Sequence, residues 1–255
     1  MATFAIGDIH GNEATLADLL GQLEPLIRPE DTVVFVGDYI DRGPCSKQCI
    51  ERILAFEQTC PATVVALLGN HEYSLLETLH DFTTHSWLIA MDAWPTIASY
   101  SKSAAQILRQ EAEKAGGRLY TEEYRLPYEL FFDAVPASHL TFFRALKAYC
   151  RTPDGLCVHA GIDPRDGAIE RQSEKMLVWG TYRFHEQYHG SETIVYGHYS
   201  NAIVDENAWP KPVVRDNSIG IDTIKYGVLT AIQLPDRRVF QSARYGEPQE
   251  DGWIY

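Results

Sequence analysis

Several short apolar runs in this sequence stop at a glycine and pass directly into aspartate, asparagine or histidine. Three of them, Thr3–Gly7, Thr32–Gly37 and Ala62–Asn70, are each followed by a stretch with apolar residues at helical spacing. Strands and helices that alternate through short connections are typical of a layered α/β domain with a largely parallel inner sheet. Carboxylates directly after a buried strand are costly to desolvate, so the same pattern predicts that something cationic meets them there.

The other elements are predicted from apolar periodicity and turn-forming residues. The predicted helices are Asn12–Leu23, Ser46–Phe56, Glu72–Leu79, Ser103–Ala115 and Ser138–Tyr149. The later strands are predicted at Gly155–Gly161, Thr193–His198, Ser218–Asp222, Gly227–Leu234 and Arg238–Ser242, the last pair as a hairpin. We expect these later strands to be antiparallel and to form a second sheet. The result is a β-sandwich flanked by helices, in the α/β (α+β) class.

The composition favours a single domain over residues 1–255. Hydrophobic residues make up 45% of the chain, which is ample for a core, and no long linker divides the sequence. The middle segment, about 81–150, is rich in aromatic residues and helical patterns. We expect it to be a mostly helical insertion that shapes a substrate cleft.

The charge and the apolar runs limit the classes of partner. A formal net charge of −13 disfavours a nucleic-acid polymer or an anionic membrane as the partner. No apolar run approaches the roughly 20 residues that cross a bilayer, and the first residues lack a basic signal-peptide segment, so we expect a cytoplasmic protein. The five cysteines form no CxxC pair, which predicts reduced thiols rather than disulfides or a zinc knuckle. The sequence does not indicate an oligomeric state.

Five strand-ending groups carry the residues able to do chemistry. They are Asp8 and His10 in GDIHG, Asp38, Asp41 and Arg42 in GDYIDRG, Asn70, His71 and Glu72 in GNHE, His159 in VHAG, and His198 in YGH. Because ligands of α/β sheets gather at the carboxyl ends of strands, we expect these groups to converge. Their oxygen and imidazole donors suit Mn²⁺, Fe²⁺ or Zn²⁺. Two such ions about 3.5–4 Å apart can clamp a phosphate, and Asp38 is the candidate to bridge them.

These five blocks, in this order, resemble the phosphoprotein phosphatase family of calcineurin-like metallophosphoesterases, most closely the bacterial serine/threonine protein phosphatases. The segment Trp87–Ser101 and the C-terminal strands resemble the same family, so the likeness covers nearly the whole chain. The resemblance implies a four-layer β-sandwich of mixed sheets and two divalent metal ions, with Mn²⁺ favoured. The implied ligands are, for one metal, Asp8, His10 and Asp38, and, for the other, Asp38, Asn70, His159 and His198.

The resemblance also implies roles in hydrolysis of phosphomonoesters. His71 would be the general acid, Asp41 would orient its imidazole, and Arg42 would hold the phosphoryl oxygens, with Asn70 also at the substrate. A hydroxide bridging the metals would attack phosphorus in line, without a phosphoenzyme. The implied substrate is a phosphorylated protein, at serine or threonine with tyrosine as a further case, or a small phosphorylated molecule.

The sequence departs from the family at positions that bear on the substrate. Leu68 stands before GNHE, where many protein phosphatases have a basic residue and diadenosine tetraphosphate hydrolases often have leucine. Those hydrolases commonly lack the residue present here as Asp41. Two residues after the tryptophan of LVWGTYRF, the bacterial phosphatases tend to carry a phosphate-binding arginine. This chain has Thr181 there, and Arg183 is the candidate replacement.

Two alternative functions therefore stay open beside the protein phosphatase. One is a hydrolase of dinucleoside polyphosphates, and the other is a metal-binding regulatory protein with weak catalysis. A further set of aromatic residues either lines the cleft or packs the insertion: Trp87, Trp94, Tyr100, Tyr120, Tyr124 and Tyr128.

Overall fold

The protein is described by a computed structural model over residues 1–166, 168–199, 202–203 and 209–245. The strands are β1 (Thr3–Ile6), β2 (Thr32–Phe35), β3 (Thr63–Ala66), β4 (Tyr149–Thr152), β5 (Gly155–Val158), β6 (Ile194–Tyr196), β7 (Ala202–Ile203), β8 (Lys211–Val214), β9 (Ser218–Gly220), β10 (Thr230–Leu234) and β11 (Arg238–Gln241). The helices are α1 (Glu13–Leu23), α2 (Ser46–Thr59), α3 (Asn70–His80), α4 (Ser86–Ala90), α5 (Trp94–Tyr100), α6 (Lys102–Ala115), α7 (Arg118–Thr121), α8 (Glu129–Phe132), α9 (Ala137–Ala145) and α10 (Glu174–Trp179).

The strands form two mixed sheets. The first has the order β11-β10-β1-β2-β3, with β1, β2 and β3 parallel and with β10 and β11 antiparallel to their neighbours. The second has the order β4-β5-β6-β9-β8-β7, and its centre, β5, β6 and β9, is parallel. The predicted fold class is confirmed, as is the hairpin. The expectation of an antiparallel second sheet is wrong in two respects: β5, β6 and β9 of that sheet pair in parallel, and the β10–β11 hairpin extends the first sheet beside β1.

The period of two along each strand separates the core into layers. Phe4 and Ile6 of β1 face α1, α2 and the insertion, whereas Ala5 between them faces the second sheet. In β5, Cys157 faces the first sheet, while Val158 faces the side covered by α10. Helices therefore cover the outer faces, and the two sheets share an inner apolar layer.

Among the predicted element boundaries that differ from the structure, two differ for a reason that lies in the tertiary structure. The predicted strand to Asn70 stops at Ala66, and Asn70 is the first residue of α3 after extended Gly69. The predicted helix to Tyr149 stops at Ala145, because Lys147 leaves it to hydrogen-bond with Ala66 and Leu68 beside β3. The strands β4, β7 and β8 were not expected.

Residues 81–150 carry six helices, α4 to α9. Among its aromatic residues, Trp87 and Tyr128 are fully buried, whereas Tyr120 is 71% exposed. In the part of the chain that the structure describes, no helix is both long and apolar enough to cross a membrane. That residues 1–255 form one domain stays a prediction.

Candidate active site

The predicted site residues meet at the carboxyl ends of the central strands. Asp8 and His10 follow β1, Asp38 follows β2, Asn70 and His71 begin α3 after β3, and His159 and His198 follow β5 and β6. All of these side chains are buried except that of His198, which is half-buried. Their convergence follows from the parallel order of the strands, since parallel strands end at one edge of a sheet.

Asp38 lies at the centre of the cluster. Its Oδ2 is 3.5 Å from Nε2 of His10, 3.5 Å from Nε2 of His159 and 3.9 Å from Nε2 of His71. Two groups of candidate ligand atoms share this carboxylate: one joins it to His10 and His71, and the other joins it to His159 and His198. The geometry thus has the shared carboxylate that two neighbouring cations require.

Backbone carbonyls fix the histidine tautomers. Nδ1 of His10 donates to the carbonyl of Ile40 at 3.0 Å, and Nδ1 of His159 donates to that of Val36 at 2.9 Å. In each neutral ring, Nε2 is therefore the lone-pair nitrogen, and it is the atom that faces Asp38. Hydrogen bonds of this kind orient histidines for metal binding.

Asn70 and Asp8 complete the predicted ligand set. Oδ1 of Asn70 lies 2.9 Å from Nε2 of His159 and 3.0 Å from Nδ1 of His198. Oδ2 of Asp8 accepts the backbone N–H of His198 at 2.9 Å, while its Oδ1 is buried and has no hydrogen-bond partner among the described residues. A Cβ at Gly197 would collide with that same Oδ1, so only glycine leaves the oxygen accessible to a ligand there.

These observations fit a pair of divalent cations. The donors are carboxylate and amide oxygens and imidazole nitrogens, a set suited to Mn²⁺, Fe²⁺ or Zn²⁺. The unpartnered Oδ1 of Asp8 and Nε2 of His71 are costly in a dry interior unless a cation or substrate meets them.

Burial sets the protonation behaviour of the cluster. It raises the pKa of Asp38 to about 8 and the pKa of Asp8 well above its ordinary value, with Asp222 and Asp38 adding to the rise at Asp8. It lowers the pKa of His198 to about 4 and the pKa of His10 well below its ordinary value. Burial thus favours the neutral forms of these acids and bases. A bound cation would act against burial at Asp8 and Asp38, because it stabilises their charged carboxylates.

The backbone at the site is held in unusual conformations. Non-glycine residues with positive φ include His10 at 45°, Asp38 at 54°, Asp41 at 69°, Arg42 at 67° and His198 at 65°. Each costs on the order of 1–3 kcal/mol, and such strain concentrates at functional sites.

Glu72 holds part of this strained loop in place. Its carboxylate accepts backbone N–H groups from Asp38 at 3.0 Å, Tyr39 at 2.8 Å and Ile40 at 3.2 Å. Glu72 is the fourth residue of GNHE and had no predicted role.

His71 and Asp41 form the predicted pair. Nδ1 of His71 donates to Oδ2 of Asp41 at 2.8 Å, so Nε2 is the atom left for proton transfer. Asp41 is held from the insertion as well: Nε1 of Trp87 donates to Oδ2 at 2.9 Å, and the Thr96 hydroxyl donates to Oδ1 at 2.6 Å. Sequence reasoning missed both donors, because the segment that carries them is remote in sequence from the motifs.

The two predicted arginines differ in position. Nη1 of Arg42 lies 2.8 Å from Nε2 of His10, at the cluster. Arg183 is 57% exposed, and within the described part of the chain its guanidinium binds Glu186 and no residue of the cluster. Thr181 lies near the Met176 sulfur, at 3.7 Å. The structure thus brings Arg42 to the other site residues, and it leaves Arg183 at the surface.

The family model for calcineurin-like phosphoesterases matches residues 1–215 of this sequence. The chain belongs to this family. Membership confirms the family predicted from the strand-end motifs, and members of this phosphoesterase family depend on divalent metal ions. At the level of the family, it also bears out the predicted enzyme class, a metal-dependent hydrolase of phosphoric esters.

Curated relatives of this phosphoesterase match over short segments. A symmetrical bis(5'-nucleosyl)-tetraphosphatase of Janthinobacterium sp. (strain Marseille) is 41% identical over 76 residues, 30% of this chain and 26% of the relative. Serine/threonine-protein phosphatase 5 of Arabidopsis thaliana is 33% identical over 76 residues, 30% of this chain and 14% of the relative. The matched segments thus span about a quarter or less of these relatives.

Solved structures share the fold over most of the phosphoesterase chain. A chain provisionally named a diadenosine tetraphosphatase has a TM-score of 0.62 and 20% identity, covering 96% of this chain and 94% of its own. The cold-active protein-tyrosine phosphatase of a psychrophilic Shewanella sp. has a TM-score of 0.56 and 17% identity, covering 94% and 77%. At these identities the likeness concerns the fold.

Proposed function

We propose that this phosphoesterase is a binuclear-metal phosphomonoesterase that removes phosphate from phosphorylated serine, threonine or tyrosine of proteins. The observation that carries the proposal is the His71–Asp41 pair, whose free Nε2 faces the carboxylate shared by two groups of candidate ligands. A protein that only binds metal needs no such pair, so the pair argues against the weakly catalytic regulatory protein.

The metal ions would be held by the six predicted ligands: Asp8, His10, Asp38, Asn70, His159 and His198. Manganese is our proposal for the native metal, with iron or zinc as the alternatives. When bound, the two cations supply Lewis acidity and water activation at neutral pH.

The chain's own residues would supply positioning and proton transfer. Arg42 would bind phosphoryl oxygens through its guanidinium, which already lies at the cluster beside His10. Asp41 holds the His71 ring with Nδ1–H inward, so the imidazolium form would carry its second proton on Nε2 and donate it to the departing alkoxide or phenoxide oxygen. Asn70 would contact the substrate with its amide group, which lies beside His159 and His198.

A second function is favoured by one residue. Leu68 before GNHE is the leucine common in diadenosine tetraphosphate hydrolases, and a bacterial tetraphosphatase is among the relatives. Asp41 favours the phosphomonoesterase, because an alkoxide leaving group needs a proton much more than a phosphate leaving group does.

A direct comparison tests the two functions. Manganese-loaded protein is assayed side by side on a phosphoserine peptide, a phosphotyrosine peptide and diadenosine tetraphosphate. We expect the peptides to be hydrolysed with the higher kcat/KM. Cleavage of the dinucleotide alone would overturn the proposal. A lack of turnover on all three and on p-nitrophenyl phosphate between pH 6 and 9 would favour the regulatory protein.

Three further predictions stay proposals. We infer that residues 1–255 form one domain, that the protein acts in the cytoplasm, and that it has neither a nucleic-acid polymer nor a membrane as its partner.

A further inference from the structure

We propose that three aromatic side chains beside His198 bind a planar aromatic group on the substrate, next to the phosphate that reacts. These residues, Trp179, Tyr182 and Tyr199, are called the aromatic wall below. The proposal rests on the proposed function for its phosphoryl end and predicts that, among its substrates, the enzyme prefers phosphate esters that carry an aromatic ring.

The aromatic wall touches a candidate metal ligand. The ring of Trp179 meets that of His198 edge to face, with centroids 6.0 Å apart, and the ring of Tyr199 lies 4.5 Å from the same imidazole. Tyr182 continues the row, with its ring 6.3 Å from that of Tyr199. The wall therefore begins at the candidate metal centre and extends outward from it.

The wall joins two loops into one fixed surface. The hydroxyl of Tyr199, in the loop after β6, donates to the carbonyl of Trp179 at the end of α10, at 2.8 Å. Gly180, next to Trp179, has φ 65°, and a Cβ there would lie 2.5 Å from the Ala160 carbonyl oxygen and 3.0 Å from the Tyr199 hydroxyl oxygen. Glycine thus permits the close approach of the Ala160 backbone and, less tightly, of the Tyr199 hydroxyl.

The wall is also open to solvent. Trp179 is 37% exposed and Tyr182 is 75% exposed, although both rings belong to a surface that borders a buried, polar cluster. A single exposed tyrosine is ordinary, but here Trp179 and Tyr199 both lie against His198 and Tyr182 lies against Tyr199, so the exposed aromatic side chains stand directly beside the candidate site. Arg183 pairs with Glu186 and does not add its charge to the wall.

These features select the chemistry of the ligand. Aromatic faces bind planar rings by offset or edge contacts that a flexible alkyl chain cannot make. The phenyl ring of an aryl phosphate and the base of a nucleotide both offer such a plane. The shared requirement is a planar ring attached near the reacting phosphoryl group.

Variants of the exposed tyrosine test the wall without disturbing the core. Wild type, Tyr182→Ala and Tyr182→Phe are compared on phenyl phosphate and cyclohexyl phosphate, two esters of similar size. We expect Tyr182→Ala to lower the phenyl-to-cyclohexyl ratio of kcat/KM by about 2- to 10-fold, and Tyr182→Phe to keep most of it. The matched control is Tyr120→Ala, an equally exposed tyrosine on α7, 71% accessible, which should keep the wild-type ratio.

Calorimetry adds a readout that does not depend on turnover. Phenylphosphonate should bind wild type more tightly than methylphosphonate does, and Tyr182→Ala should reduce that preference. An unchanged ratio and an unchanged preference would overturn the wall, while turnover of both esters would leave the proposed function intact. If wild type hydrolyses neither ester, the phosphopeptide assay still decides the proposed function, and phosphonate binding alone decides for or against the wall.

A final comparison separates the two sources of the ring. The loss of kcat/KM in Tyr182→Ala is measured for a phosphotyrosine peptide and for adenosine 5'-monophosphate, a phosphomonoester that carries a base. The larger loss identifies the phenyl ring or the base as the occupant, and no loss with either overturns the proposal.

Discussion

His71 is the residue whose chemistry the site specifies most closely. Its Nδ1 is committed to Asp41 at 2.8 Å, so the proton that reaches a leaving group must come from Nε2. We expect His71→Asn to lower kcat by about 10²–10⁴-fold and to retain bound metal. The loss should be larger for an alkyl phosphate than for p-nitrophenyl phosphate, because nitrophenolate leaves without a proton. Steady-state kinetics with His80→Asn, an exposed histidine of the same helix, provide the control.

Asp38 makes a different prediction, because its carboxylate is shared. Both His10 Nε2 and His159 Nε2 lie 3.5 Å from the same oxygen. Asp38→Asn removes the negative charge and leaves one neutral oxygen, so metal content should fall below that of wild type. Elemental analysis after gel filtration measures this, with the exposed Asp133→Asn as control. Unchanged occupancy would contradict the bridging role.

The sequence predicts the candidate metal ligands well. It predicts poorly the contacts and backbone conformations that hold these ligands in place. Asp38, His10 and His159 follow strands, so a periodic pattern and the parallel order of a sheet are enough to bring them together. Glu72 lies inside the GNHE motif, yet its three backbone contacts depend on how the loop after β2 folds back over α3. The positive φ angles of His10 and Asp38 are only weakly signalled, because histidine and aspartate are enriched at such angles but adopt them in a minority of cases.

At the level of elements, α3 holds the loop after β2 through Glu72. In wild type, both oxygens of the Glu72 carboxylate accept backbone N–H groups. In Glu72→Gln, one of these oxygens is replaced by an amide NH₂, which cannot accept a hydrogen bond from the N–H that faces it. We expect a loss of about 1–3 kcal/mol in the free energy of unfolding, since buried donors are left unpaired. Urea denaturation above pH 8, where the Glu72 carboxyl is ionised, measures the change, and Glu77→Gln, exposed on the same helix, should stay within error of wild type.

The insertion contributes to the site through the donors it brings to Asp41. Trp87 of α4 and Thr96 of α5 bind opposite oxygens of that carboxylate. Trp87→Phe keeps the ring in its packing and removes the N–H, so the Asp41 carboxylate should hold His71 less well. We expect kcat on alkyl phosphates to fall about 10-fold, with a smaller loss on p-nitrophenyl phosphate.

A neighbouring tryptophan provides the matched control for Trp87→Phe. Trp94 also lies in the insertion, but its ring packs under the Arg109 guanidinium at 4.9 Å instead of bonding Asp41. Trp94→Phe should keep the wild-type dependence on the leaving group. An equal loss on both substrates in Trp87→Phe would show that the tryptophan acts on stability alone.

For the whole molecule, the layered architecture can be predicted from the local sequence pattern. Which strands pair with each other cannot be predicted in this way. The alternation that sends Ala5 to the inner layer and Phe4 to the outer one is written in β1. The local sequence of the β10–β11 hairpin does not specify that it pairs with β1 rather than β9, because strand pairing is decided by the packing of both sheets together. The same holds for β4, which continues the chain after Lys147 has paired beside β3.

The net charge of −13 and the buried carboxyls make the metal-free protein sensitive to pH. Burial raises the pKa of Asp38 and of Glu72 to about 8, whereas such carboxyls titrate near 4 in an unfolded chain. Between these values the folded protein keeps protons that the unfolded chain has released, so stability falls as pH rises. The buried histidines, with lowered pKa values, act in the opposite direction only below about pH 6.5.

We therefore expect the Tm of EDTA-treated protein to fall between pH 6.5 and about 8. Divalent cations favour the charged carboxylates, so manganese-loaded protein should lose much less over the same range. Circular dichroism melts at half-unit steps of pH measure both curves, and Asp38→Asn should reduce the slope of the metal-free curve. A metal-free Tm that stays constant or rises over this range would mean that the carboxyls are already ionised in the folded protein.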